Sequence, residues 1–189
     1  MTVVIDEIFT MFDRKGHEHY GEGVSQRAHA LQCAWLAEKA GADSRTIVAA
    51  LLHDIGHLME KVGPDAASRG IDGRHEDIGA GWLRRHFGPE VIDPVRLHVD
   101  AKRYLCATRP DYYDGLSAPS KQSLAVQGGP FSQAEALDFV RRPNAEQAIT
   151  VRIWDDEGKV LDLATPDLHH FRPHLEAVIR ARSGADTAG

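Results

Sequence analysis

A bundle of short α-helices is what this sequence predicts, and three observations predict it. Apolar residues recur at three- and four-residue steps. The segments carrying them open on capping residues and close on glycine or proline, and neither a repeat nor a long strand-like alternation interrupts them. "VSQRAHALQCAWLAEKAGAD" places Ala28, Leu31, Cys33, Trp35 and Leu36 at mixed helical steps and stops at Gly41. "DSRTIVAALLHDIGHL" restarts from an Asp43 or Ser44 cap and is expected to run to about residue 59. "KVGPDAASRGIDG", with three glycines and a proline, is a loop. "RHEDIGAGWLRRHFG" makes a short helix ending at Gly88, and "PEVIDPVRLHVDAKRYLCAT" follows as a helix broken near Pro94. "SAPSKQSLAVQ" is a short helix stopped by "GGP". "SQAEALDFVRR" opens on a capping box of Ser132 and Glu135 and is ended by Pro143. After "NAEQAITVRIWDDEGK", a short hairpin around "GKVLDL" is the place where strands could form. A last helix begins near Pro166 and fades into a polar, loose tail at 183–189.

At 189 residues the chain is most simply one domain, residues 1–189, with room for a sizeable core. Its apolar runs fall well short of the roughly 20 residues of a membrane span. The net charge of −6 argues against nucleic-acid binding, so an anionic ligand has to be held by locally placed cations. "MTVVIDEIFTMFDRKG" carries acids where a secretory leader carries lysines, and a cytoplasmic location is expected. Cys33 and Cys106 sit in apolar settings and read as buried thiols of a reducing compartment.

"AALLHDIGHLME" sets His53 and Asp54 side by side in an oily run. Apolar helix faces exclude such residues unless they are paired, hydrogen-bonded or bound to a metal. His29, His75, His98 and Asp155 lie on other predicted helices or at their edges, and side chains from separate helices converge in bundle metal sites. Six such groups exceed the needs of one divalent ion and suit two, with a carboxylate bridging. Imidazole with carboxylate favours iron, manganese, zinc or nickel. His57 follows His53 by four residues, Lys102 follows His98 by four, and Arg152 precedes Asp155 by three. On one helix face these pairs point Lys102 and Arg152 into the cavity of the metal, where a phosphate or phosphonate would be held.

His29, His53-Asp54 and Asp155 resemble the H…HD…D signature of HD-domain proteins, an all-α metal-binding fold whose members are mostly phosphohydrolases. "LLHDIGH", "GRHEDIGAGWL", "HVDAKRYL", "SLAVQGGPFS" and "RIWDDEGK" together look closer to one branch, the HD-domain mixed-valent diiron oxygenases that break carbon–phosphorus bonds. The similarity runs from about residue 17 to 170. It implies two iron ions in mixed Fe(II)/Fe(III) valence with O2 as co-substrate. One ion would be held by His29, His53, Asp54 and Asp155 and the other by His75 and His98, with Asp54 bridging. By the same resemblance Lys102, Ser120 and Arg152 bind the phosphonate, His57 stands near the reacting centre, and the Glu22 region receives the substrate's amine.

In the amine-specific branch a tyrosine three residues before the equivalent of Glu22 gates the open iron position. Here that residue is His19, and Tyr20 is two before. Either Tyr20 gates from a shifted loop or the gate is altered. Tyr104, Tyr112 and Tyr113 are further aromatic faces available to a quaternary ammonium. The implied reaction takes (1-hydroxy-2-(trimethylammonio)ethyl)phosphonate to glycine betaine and phosphate, with 2-amino-1-hydroxyethylphosphonate, giving glycine, as the alternative. A hydrolase using metal-activated water on the same ligands is the second reading, and a non-enzymatic metal-dependent sensor the third.

Overall fold

The computed structural model describes residues 2–19, 22–59 and 66–185, and among these there is no strand. Its helices are α1 (Thr2–Lys15), α2 (Gln26–Lys39), α3 (Ser44–Leu52), α4 (His75–Leu83), α5 (Pro89–Thr108), α6 (Tyr112–Gly115), α7 (Ala118–Val126), α8 (Gln133–Phe139), α9 (Ala145–Glu157) and α10 (Arg172–Ala185). Single 3-10 turns cover Ile55–Leu58, Ala67–Arg69 and Leu168–Phe171. The expected caps are in place: Asp43 accepts from the Thr46 amide at 2.9 Å, and Ser132 with Glu135 closes a reciprocal capping box. Gly41 ends α2 in the left-handed region (φ 75°).

The helix α5 is the spine, packed along α9 and also against α3 and α4; α2 lies across α3 and α9, and α10 covers α3. The main apolar core joins Ile5, Ile8 and Phe12 of α1 to Ile47, Leu51 and Leu52 of α3 and to Leu83, Phe87, Phe171 and Leu175. Each such fully buried side chain stabilises the fold by roughly 1.5–3 kcal/mol. A smaller cluster of Leu97, Ala101, Phe131 and Phe139 seats α8 on α5. Helix α1 was outside the expected set, and it supplies one wall of this core.

Several boundaries differ from expectation, each for a physical reason. The third helix does not run to 59: it ends at Leu52, and His53 and Asp54 occupy a turn before the 3-10 segment. Gly56 explains the break, because a β-carbon there would sit 1.9 Å from the His75 carbonyl oxygen. Two backbones meet at that point, and only glycine allows it. Pro94 does not break α5, which is continuous; the carbonyl it leaves unbonded is that of exposed Glu90, within reach of water. No hairpin forms around 158–163. Instead the Gln32 side chain takes both polar groups of Val160, donating to its carbonyl at 2.8 Å and accepting from its amide at 3.0 Å. The last helix starts at Arg172 behind an Asp167-capped 3-10 turn and continues to Ala185, into the expected tail; 186–189 lie outside the described residues. Cys33 is buried, Cys106 is half-buried, and both are free thiols.

Candidate metal centre and its cavity

The six predicted ligands come together from five elements: His29 from α2, His53 and Asp54 from the end of α3, His75 from the first position of α4, His98 from α5 and Asp155 from α9. Four of them, His29, His53, His98 and Asp155, are less than 5% exposed, and His75 is 8% exposed. Arg74, held in the left-handed region (φ 49°), turns the chain so that α4 opens on His75.

The imidazoles form two facing pairs. His29 Nε2 and His53 Nε2 are 3.2 Å apart, and His75 Nε2 and His98 Nε2 are 3.1 Å apart. Asp54 lies between the pairs and divides its oxygens. Oδ2 is 3.7 Å from His29 Nε2 and 3.5 Å from His53 Nε2, while Oδ1 is 3.3 Å from His75 Nε2 and 3.5 Å from His98 Nε2. Asp155 Oδ1 adds a further oxygen 3.3 Å from His29 Nε2.

The opposite nitrogens explain what this cluster can hold. Nδ1 of His29 faces the Gly158 carbonyl at 2.8 Å, that of His53 the Ala50 carbonyl at 2.8 Å, and that of His98 the Val95 carbonyl at 2.6 Å. Nδ1 of His75 faces the Glu76 carboxylate at 3.5 Å. A proton donated to those three carbonyls leaves Nε2 of His29, His53 and His98 as a lone pair. In the His29–His53 pair two such lone pairs face each other at 3.2 Å, beside carboxylate oxygens, and repel unless a cation stands between them. The donor set is one that could hold two metal ions, one beside each histidine pair, with an Asp54 oxygen turned to each. Burial holds His53 down to a pKa of about 4 and His75 to about 3, which keeps both in the neutral form that binds metal. At His29 burial opposes protonation, but Cys33 and Asp155 outweigh it and the pKa rises.

A cavity of about 120 Å³ opens over this cluster, and Lys102, Ser120, Arg152 and His57 all line it, as expected. His57 does so by a different route than a shared helix face, since α3 has ended; it lies flat on His75, ring centroids 4.0 Å apart at 14°. Arg152 donates from Nη1 to Asp155 Oδ2 at 2.5 Å and from Nε to Asp156 Oδ2 at 3.1 Å, and its Nη2 also meets Asp156. Tyr112 Oη donates to Asp156 and accepts from Arg152 Nε at 3.1 Å. Lys102 donates to Ser123 Oγ at 2.8 Å.

The amine-end expectations divide. Glu22 lines the cavity, accepting from Ser117 Oγ at 2.7 Å and pairing with Lys159 Nζ at 3.2 Å. His19 is exposed, touches the Glu22 carbonyl at 3.4 Å and is absent from the described lining; Tyr20 lies outside the described residues. Tyr104 packs on Phe139, Tyr112 serves Arg152, and Tyr113 is 44% exposed, so none of the three lines the cavity. Sequence reasoning missed Lys159, which reaches Asp155 Oδ1 at 3.3 Å and Ser120 Oγ at 3.1 Å; its place four residues after Asp155 was the signal. It also missed Ser123 and Gln127, which continue the Ser120 face of α7 at helical steps. Gln127 Oε1 is buried without a hydrogen-bond partner among the described residues.

An all-helical bundle that gathers an H…HD…D set around one cavity is the HD-domain arrangement. The HD-domain pattern matches residues 27–157, and the chain belongs to that family. Over 183 residues it is 43% identical to the [1-hydroxy-2-(trimethylamino)ethyl]phosphonate dioxygenase (glycine-betaine-forming) of Leisingera caerulea, covering 96% of this chain and 93% of that one. It is 40% identical over 176 residues to the hydroxymethylphosphonate dioxygenase of Gimesia maris, covering 93% of this chain and 88% of that relative.

Proposed function

We propose that this protein is an iron-dependent dioxygenase that uses O2 to cleave the C–P bond of (1-hydroxy-2-(trimethylammonio)ethyl)phosphonate, giving glycine betaine and inorganic phosphate. The observation that carries the reading is one cavity with a two-ion histidine–carboxylate cluster on its floor and three cations, Lys102, Arg152 and Lys159, on its wall. The 43% identity over nearly the whole chain to a relative named for that substrate supports it.

In this reading His29, His53, Asp54 and Asp155 would hold one iron, and His75 and His98, with Asp54 in reach, would hold the other. The iron pair, when bound, supplies the binding of O2 and the electron transfers. The chain supplies position. Arg152, aimed by Asp156, presents its guanidinium to the phosphonate as a fork; Lys102 contributes a point charge and Ser120 a hydroxyl. Anchoring the phosphonate on α5, α7 and α9 turns C1 and its hydroxyl towards the cluster, so that most of the gain comes from orientation. His57, flat on His75, is the cavity group placed to hold a proton at the C1 hydroxyl. The balance is R–CH(OH)–PO3H2 plus O2 giving R–COOH plus H3PO4: the C–P and O–O bonds break, and both oxygen atoms end in the products.

Glu22 favours a second reading within the same chemistry. Its carboxylate is already paired with Lys159 and Ser117, which suits a substrate without an ammonium, such as the hydroxymethylphosphonate of the Gimesia maris relative's name. The test is phosphate release by iron-reconstituted protein, with and without O2, from the trimethylammonio, amino and unsubstituted 1-hydroxyphosphonates. O2-dependent phosphate, fastest from the trimethylammonio compound, is expected. A faster unsubstituted or amino compound moves the substrate and keeps the chemistry. Phosphate release without O2, from phosphate esters alone, would replace the oxygenase by a hydrolase.

A further inference from the structure

The three cations on the cavity wall are not equivalent. Arg152 is matched by Asp155 and Asp156, and Lys159 by Glu22 at 3.2 Å and Asp155 at 3.3 Å. Lys102 is 3% exposed, and its ammonium donates to the neutral hydroxyl of Ser123. Among the described residues no carboxylate lies within ion-pairing distance of it. A buried ammonium with no counter-ion is costly, and a lysine answers by giving up its proton, which an arginine does not do.

We propose that Lys102 is uncharged while the cavity holds no anion and takes up a proton as the phosphonate binds, so that substrate binding is proton-coupled. The identity of the anion rests on the proposed function. The charged and titratable groups around Lys102 come from every neighbouring element. On α5 itself they are His98 and Cys106. From α9 and just beyond come Arg152, Asp155, Asp156 and Lys159, from α2 comes His29, from the turn after α3 come Asp54 and His57, and from the segment that opens α4 come Asp72 and His75. Glu22 approaches from the loop before α2. Burial pulls Lys102 down first, Arg152 and Lys159 pull in the same direction, Asp155 and Asp156 push back, and the result is about 7. Two metal ions on the cavity floor would add to the downward pull. At pH 8 about nine in ten such lysines are neutral. A phosphonate dianion supplies the missing counter-charge; the proton comes from solvent when the ligand arrives as a dianion and from the phosphonate's own O–H when it arrives as a monoanion.

Calorimetric titration measures this directly. (1-Hydroxy-2-(trimethylammonio)ethyl)phosphonate, whose quaternary nitrogen does not titrate, is added without O2 to the iron-loaded protein at pH 8, in buffers of different ionisation enthalpy. The expected slope corresponds to roughly 0.9 proton taken up per site, with affinity weakening about tenfold per pH unit above pH 8. In Lys102→Arg, whose guanidinium is charged throughout, uptake is expected near zero with phosphonate binding retained. Wild-type binding with no proton uptake overturns the proposal and leaves the proposed function standing. Undiminished uptake in a Lys102→Arg protein that still binds also overturns it, because the proton then goes elsewhere. No heat of binding with this or the other two phosphonates removes both.

Discussion

At the floor of the cavity, four imidazoles and two carboxylates crowd lone pairs together. On its wall, three cations stand among carboxylates that match two of them. The floor is made almost entirely of acceptors, three of its four rings locked by a hydrogen bond on the far nitrogen; it is complete only with cations from outside. The wall is close to neutral and lacks one anion, at Lys102. Neither half is optimised for the stability of the empty chain, and each is short of the charge that its own ligand carries. Metal and phosphonate are therefore expected to bind as partners across the shared Asp155, which touches His29 on one side and Arg152 and Lys159 on the other.

The sharpest way to break the floor is to remove one of its rings. In the proposed two-iron centre, His75→Ala or His98→Ala should lose one of two bound metal ions by metal analysis and reduce O2-dependent phosphate release by at least about 100-fold, with the helical circular dichroism unchanged. Full iron content and turnover in either variant would end the two-ion assignment.

Acid should weaken the metal-free floor next. Burial lowers the pKa of His53 and His75 from 6.5 to about 4 and about 3. Between about pH 3 and 6.5 the unfolded chain therefore binds more protons than the folded one, and stability falls as pH falls through that window. His29, whose pKa moves upward, returns part of the loss. A net loss of about 2 kcal/mol between pH 7 and pH 5, or ~5 °C in melting temperature, is expected for the metal-free protein. A flat melting profile would show the rings to be protonated in the fold.

On the wall, Arg152→Lys keeps charge and loses the fork. It should raise KM for the phosphonate about 10- to 100-fold while iron content stays whole. Asp156→Asn, which touches Arg152 and not the substrate, should raise KM about three- to tenfold and leave kcat nearly unchanged. An equal fall in kcat would mean that Asp156 acts on the metal ligands through its neighbour Asp155.

The helices that bury apolar faces could be read from their periodicity, and their caps at Asp43 and Ser132 were legible because capping is a contact three residues long. The six candidate ligands were legible for the opposite reason: α2 and α9 bury His29, Gln32, Arg152 and Asp155, a polar face that no apolar core accounts for. Helix α1 is as periodic as any of them, with Ile5, Ile8 and Phe12 at helical steps, so its core face was open to the same signal.

Residue types and local spacing by themselves determined an all-helical chain with metal-binding and cationic groups on its buried faces. The tertiary structure decided which nitrogens face one another, how Asp54 divides its oxygens, and that α3 stops at Leu52 so that Gly56 can meet the His75 carbonyl. It also gave Arg152 the phenol of Tyr112, 40 positions away, and gave Lys102 a hydroxyl in place of a carboxylate. Those are contacts between segments distant in sequence. Their energies depend on burial and on which charges meet, and neither quantity has a period that a single helix can display.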